Sequence, residues 1–168
     1  MNNDSISFSR NLAKGKVAET LFEQMLRDAG CFTILAFGYE SALPELASRQ
    51  QDIQAEETME IIRRAPDFAV INNETHDVHL IEVKYMMDPR AERVLAAANR
   101  MIESWKPSYL FISTPQGFFF DKVSVIVENR GVISGLQHPK ISPELQHKYT
   151  ALLNELIVPR DFNTKEEV

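Results

Sequence analysis

The chain has 168 residues, 44% of them hydrophobic, which is enough to bury one core and short for a second independent one. No apolar run reaches bilayer-spanning length, the start "MNNDSISFSRN" lacks the order of a secretory leader, and the single cysteine excludes an internal disulfide, so a soluble, cytoplasmic protein without membrane partners is expected. A net charge of −6 argues against coating of nucleic acid by bulk electrostatics, because such binding rests on many lysines and arginines, so any basic surface must be local; part of the acidity clusters in "QDIQAEETMEII", which weakens the objection without removing it.

Between Leu12 and Ala29, the residues Val17, Ala18, Leu21, Phe22, Met25, Leu26 and Ala29 recur at helical spacing, and Gly30 supplies a stop. "CFTILAFGYE" follows as a short apolar run rich in aromatic and β-branched residues, expected as a buried strand with Cys31 as a small hydrophobe inside it. The stretch from about 41 to 65 is polar, glutamine-rich and acidic, with Leu46, Ile53, Met59 and Ile62 too spread for a firm stripe, and reads as a partly helical insertion. "DFAVIN" and "DVHLIEVKYM" are the next strands, joined through "NETH". "DPRAERVLAAANRMIESWK" opens with Asp88 as a helix cap and Pro89 at the first helical position, then repeats Ala91, Val94, Leu95, Ala98, Met101, Ile102 and Trp105 on one face. "SYLFIS" reads as a strand, "TPQG" as a turn and "FFFDKVSVIVEN" as another strand or pair. "ISPELQHKYTALLNEL" is a final helix capped by Ser142, and residues 161–168 read as a flexible tail on a single domain of residues 1–160. This order of elements implies an α/β fold, a mixed β-sheet flanked by helices.

The two strands after residue 66 carry charge where a buried strand should be apolar. A hairpin centred on Glu74 and Thr75 pairs Asn73 with His76 and Asn72 with Asp77, and sets Asp67 directly opposite Glu82. Facing residues of an antiparallel pair share one side of the sheet with Cβ atoms about 4.5–5.5 Å apart, and alternation adds Lys84 to that side. Two carboxylates so close repel unless a proton or a cation intervenes, and a hard divalent cation is the economical answer. Lys84 beside them can hold or activate a water molecule. The ordinary reading of an E-x-K triplet is a surface ion pair on a solvated strand; the apolar residues on both sides of these charges argue for a central strand, where unpaired charge is costly. Glu19 falls at the rim of the first helix's stripe, one turn after Gly15, where it can lean over the sheet, although beside Lys16 it also fits an exposed helix glutamate. Gly15 inside a helix costs about 1 kcal/mol against alanine, which points to something approaching the backbone closely.

Taken together, "KGKVAETLFEQMLRDAG", a strand, "APDF" and "LIEVKY" resemble the PD-(D/E)xK nuclease superfamily, and within it the archaeal Holliday junction resolvases and related restriction-type enzymes. The resemblance covers residues 12 to about 113. It implies a restriction-endonuclease-like αβββαβ core and a divalent-metal-dependent endonuclease hydrolysing phosphodiester bonds in duplex or branched DNA. The superfamily's proline–aspartate falls on Pro66 and Asp67, its acid and lysine on Glu82 and Lys84, and its first-helix glutamate on Glu19. By that resemblance Asp67, Glu82 and the carbonyl of Val83 bind Mg²⁺ or Mn²⁺, Glu19 completes the site or recruits a second ion, and Lys84 orients the attacking water. A homodimer with one site per strand is implied as well. Lys14, Lys16, Arg63, Arg64, Arg90, Arg93 and Arg100 are the expected nucleic-acid contacts by their grouping around the site, each also explicable as a solvated charge. The histidines show no ligand spacing, and "GFFF" reads as core or as a dimer surface. Unlike those resolvases, the chain is acidic and carries a long insertion before Pro66, so junction specificity stays open. Two other readings stand beside the first: a catalytically silent or partner-dependent nuclease fold serving as a binding or regulatory module, and the same chemistry on RNA.

Overall fold

The computed structural model describes residues 3–38 and 56–157. Helix α1 (Asn3–Ala29) leads into strand β1 (Phe32–Ala36), and α2 (Glu56–Arg63) precedes the pair β2 (Phe68–Asn72) and β3 (Val78–Tyr85). Helix α3 (Ala91–Ile102), strands β4 (Ser108–Thr114) and β5 (Gly117–Lys122), and helices α4 (Val123–Glu128) and α5 (Pro143–Ile157) complete the order. The strands form one open sheet in sequence order, antiparallel throughout except between β3 and β4. The parallel pair needs a crossover, and α3 supplies it. The fold is therefore α/β, a mixed five-stranded sheet flanked by helices, with β3 at its centre. No helix among the described residues is long and apolar enough to cross a membrane.

Apolar layers cover both faces of the sheet. On one, α1 packs Ala18, Leu21, Phe22, Met25 and Leu26 against Phe68, Val70, Ile81, Val83 and Phe111, and α5 adds Tyr149, Leu153 and Ile157. The stripe expected along the first helix is the stripe that is buried. On the other face, α3 and α4 bring Val94, Ala97, Ala98, Met101, Val123 and Ile126 onto Leu110 and Ile112. Strand alternation explains the division, since Phe111 and its neighbours Leu110 and Ile112 point to opposite sides. The same alternation sends Ile81 and Val83 into the α1 layer and keeps Glu82 and Lys84 out of its apolar packing. The aromatic run after the "TPQG" turn is core: Phe118 is buried, and Phe119 and Phe120 pack against opposite layers.

Several local expectations change. Helix α1 starts at Asn3 rather than near Leu12; Phe8 and Leu12 are exposed, so residues 8–13 present no buried stripe to read. The run at 31–40 is not a buried strand, because β1 takes only five of its residues and lies at the sheet edge with Thr33, Leu35 and Ala36 exposed. Its other apolar residues serve elsewhere: Cys31 is buried, and Phe37 meets Trp105 edge-on at 5.4 Å between ring centres. Asp88 does not cap α3. Its carboxylate accepts from Arg90 Nε at 2.6 Å, and Pro89 stands outside the helix. "VSVIVE" is a helix, not a strand, because Val123 and Ile126 lie three apart and both bury against α3, which outweighs the strand preference of β-branched residues. The chain leaves α4 through Arg130 at φ 54° and Gly131 at φ 89°. A Cβ at Gly131 would stand 2.0 Å from the Ala91 carbonyl oxygen, so only glycine fits. Ser142 caps α5 as expected, its Oγ accepting from Leu145 N at 3.2 Å with Pro143 at the first helical position. The insertion's described end, α2, is helical; residues 39–55 and the tail at 161–168 lie outside the described residues.

Candidate active site

The β2–β3 hairpin has the register expected from its turn: Phe68 pairs with Ile81, Ala69 with Leu80, Val70 with His79 and Ile71 with Val78. One further step along the ladder sets Asp67 beside Glu82. The turn itself is an asparagine turn. Asn72 Oδ1 accepts from Glu74 N at 2.9 Å and Thr75 N at 3.3 Å, Asn72 N donates to Asp77 O at 3.0 Å, and His76 takes a φ of 62°. Side-chain bonding by Asn72 and one left-handed residue thus fix the register that an Asn-Gly pair would otherwise fix.

Asp67 is held from several sides. Pro66 before it is fully buried, and the Asp67 carbonyl accepts from Phe37 N at 2.8 Å and Gly38 N at 3.0 Å, tying the residue to the end of β1. Its Oδ2 accepts from Val83 N at 2.8 Å, which pins the carboxylate against β3. Burial first, and the Glu82 charge second, push the Asp67 carboxyl from its ordinary 3.8 up to about 7. The Val83 N–H and Lys84 pull it down, and Glu19 adds to the rise.

The neighbouring acids are engaged by lysines. Lys84 Nζ donates to Glu82 Oε1 at 2.5 Å, with the two side chains 27% and 18% exposed. From α1, Glu19 reaches the same cleft and accepts from Lys16 Nζ at 2.9 Å. The cleft has two lobes of about 290 Å³ and 270 Å³, which share Leu12, Glu19, Asp67 and Glu82. Gly38, Arg63 and Arg64 border the first lobe; Gly15, Lys84 and Tyr85 border the second.

Glu19, Asp67, Glu82, Val83 and Lys84, the expected catalytic and metal-binding residues, therefore meet in one place. Among the expected nucleic-acid contacts, Lys16, Arg63 and Arg64 line the first lobe, and Lys14 stands 5.6 Å from the centre of the Tyr85 ring, itself a wall of the second. Arg63 and Arg64 also pair with Glu60. Arg90, Arg93 and Arg100 belong to α3 or its entry, which packs on the opposite layer from α1, and they do not line the cleft. Reading along the chain missed Gly38, whose added Cβ would stand 3.5 Å from Asp67 Cα and 3.7 Å from Oδ1. The available signal was a glycine directly after an apolar strand, in "FGYE". At Gly15 no described segment comes within 4 Å of an added Cβ, so the close approach expected there is not made by the described part of the protein.

Asp67, Glu82 and the Val83 carbonyl are hard oxygen donors, a set suited to Mg²⁺ or Mn²⁺ rather than zinc. Two acids facing each other, with the Asp67 carboxyl raised, fit a site completed by a cation. Among the described residues, no group of three or more His, Cys, Asp or Glu side chains is placed to hold a metal ion. Lys84 donates to one oxygen of Glu82 and Lys16 to one oxygen of Glu19, so both acids already have a cationic partner.

No protein-family model matches the chain, and no curated protein sequence or solved structure is significantly similar to it. What the site can do is read from its own chemistry.

Proposed function

We propose that the protein is a divalent-metal-dependent phosphodiesterase with a restriction-endonuclease-like core of the PD-(D/E)xK type, cutting nucleic acid, with DNA as the first substrate. The supporting observation is the meeting of Asp67 and Glu82 on facing strands, with Glu19 and Lys84 in the same cleft. Acids crowded together at a cost to stability are characteristic of sites with a chemical task.

Asp67, Glu82 and the Val83 carbonyl would hold Mg²⁺ or Mn²⁺, and Glu19 could join them from α1. Bound there, the ion would polarise a phosphodiester, lower the pKa of water and neutralise developing charge. The Val83 N–H keeps the Asp67 carboxylate aimed along β3. Lys84, released from Glu82, would orient the attacking water and face the growing negative charge. Lys16, Arg63 and Arg64 would hold flanking phosphates at the first lobe. Cutting both strands of a duplex would require two copies of the chain, one site each.

A second reading, a binding or regulatory module, is favoured by the net charge of −6 and by the engagement of Lys84 and Lys16 with acids. The test incubates purified protein and Mg²⁺ or Mn²⁺ with duplex, branched and single-stranded DNA and with RNA. Cleavage by the wild type and none by folded Asp67→Ala or Lys84→Ala is expected. Equal cleavage by all three would mean a contaminant and defeat the enzyme reading, and no cleavage together with no stabilisation by divalent metal would leave the binding module.

A further inference from the structure

A glycine has two ordinary explanations, a left-handed backbone or a crowding neighbour, and Gly131 after α4 shows both. Gly15 shows neither. It lies within α1, it is not among the residues with positive φ, and no described segment comes within 4 Å of the position its Cβ would take. Its backbone is nonetheless part of the cleft wall, one turn before Glu19 and in the same lobe as Lys84 and Tyr85. The missing side chain thus keeps the cleft wide where it passes over α1.

The chemistry around this window fits an extended anion. Lys14 and Lys16 flank Gly15 in sequence, Lys84 lies in the same lobe, and Arg63 and Arg64 border the other. Three carboxylates, Glu19, Asp67 and Glu82, lie between these groups and repel an anion until a cation is present. Lys16 and Lys84 pair with two of these acids, which both lobes share, while Arg63 and Arg64 border one lobe and Lys14 stands by Tyr85 in the other, which suits a chain of phosphates spanning the cleft better than a single small anion.

We infer that Gly15 marks where the sugar–phosphate backbone of the substrate strand crosses helix α1, so that the strand occupies both lobes with the scissile phosphate between them. The inference rests on the phosphodiesterase reading and deepens it. A Cβ at position 15 narrows the path of the strand and meets no described atom within 4 Å, the acids included.

The test compares wild type, Gly15→Ala and Gly15→Leu as full chains. Binding of fluorescent single-stranded and duplex DNA is followed by anisotropy in Ca²⁺, cleavage in Mn²⁺, and the melting temperature with and without Mn²⁺. Alanine in place of a helix-interior glycine is expected to raise the melting temperature by about 2–4 °C. The Mn²⁺-induced rise should be the same in the wild type and Gly15→Ala, whose added Cβ meets no described atom within 4 Å. DNA affinity should fall in Gly15→Ala and fall by about tenfold or more in Gly15→Leu, with cleavage at limiting substrate falling in parallel. The DNA form showing the larger loss identifies the strand that lies in the cleft. Variants that bind and cut like the wild type overturn the inference and leave the phosphodiesterase reading intact. A lost Mn²⁺ response in Gly15→Ala also overturns it, because Gly15 would then serve the ion site. A wild type that neither binds nor cuts any nucleic acid overturns both.

Discussion

The strain between Asp67 and Glu82 predicts a specific dependence of stability on pH in the presence of a chelator. The Asp67 carboxyl titrates at about 7 in the folded protein against an ordinary 3.8, with burial and the Glu82 charge as the main causes. The folded state therefore binds this proton more tightly than the unfolded chain does. The contribution of the group is intact below pH 3.8 and is lost as pH rises through 7. A gap of roughly three units at 1.36 kcal/mol each amounts to about 4 kcal/mol by pH 8. An Asp67→Asn variant would keep an oxygen for the Val83 N–H and carry no charge at that position, so it escapes the loss. Urea unfolding in chelator from pH 4 to 8 should show the two proteins converging at the acid end, with the variant ahead by up to about 4 kcal/mol at pH 8. Mn²⁺ at pH 8 should restore the wild type and do little for the variant. A stability difference that does not change with pH, or a variant that is the weaker protein at pH 8, would refute the reasoning, because Asp67 would then be an ordinary ionised acid with a favourable partner.

Three other substitutions probe the framework. Gly131→Ala forces a Cβ toward the Ala91 carbonyl at a φ of 89° and should cost at least about 2 kcal/mol in urea unfolding. Ser142→Ala removes the oxygen that accepts from Leu145 N and should cost about 1 kcal/mol, read as a lower urea midpoint with an unchanged slope. Gly38→Leu places a side chain against Asp67 where the backbone tolerates it, so the melting temperature should hold while nucleic-acid cleavage in Mn²⁺ falls about tenfold or more, the space beside Oδ1 being filled.

The parts of this molecule that could be read from the chain are those where one local pattern decides. The stripe from Val17 to Ala29 and the run "LIEVKY" are each dictated by burial on one face, so the α1 layer and the central strand were legible. The hairpin register was legible too, because a slip of one residue would turn Ile81 and Val83 out of the core. Val123 to Glu128 was not, since its residues favour strands and only the layer formed with α3 makes them helical. The same holds for Asp88, whose capping pattern was overridden when Arg90 took its carboxylate. In the site, Asp67, Glu82 and Lys84 lie on neighbouring strands and could be placed by counting. Gly38 could not, because it reaches Asp67 through the β1–β2 pairing, across the whole insertion, which no local pattern encodes.

The acidity of the chain, the main objection to a nucleic-acid substrate, loses force when charge is counted at the cleft instead of over the whole molecule. With Asp67 ionised, Glu19, Asp67 and Glu82 stand against Lys16 and Lys84, which leaves one negative charge. A divalent ion would reverse that to one positive, and Arg63 and Arg64 against Glu60 would add another at the first lobe. Exposed pairs such as those of Glu60 hold their partners by less than about 1 kcal/mol, so the arginines can turn to a phosphate at small cost. Counted with the arginines, the cleft is neutral without the ion and carries two positive charges with it, so the ion would turn a cleft that does not attract phosphate into one that draws it in. Ion and nucleic acid must then favour each other's binding to the same degree, since any coupling between two bound ligands is reciprocal. A protein of this composition would gain selectivity from the arrangement, because its surface as a whole repels polyanions and only the loaded cleft accepts one.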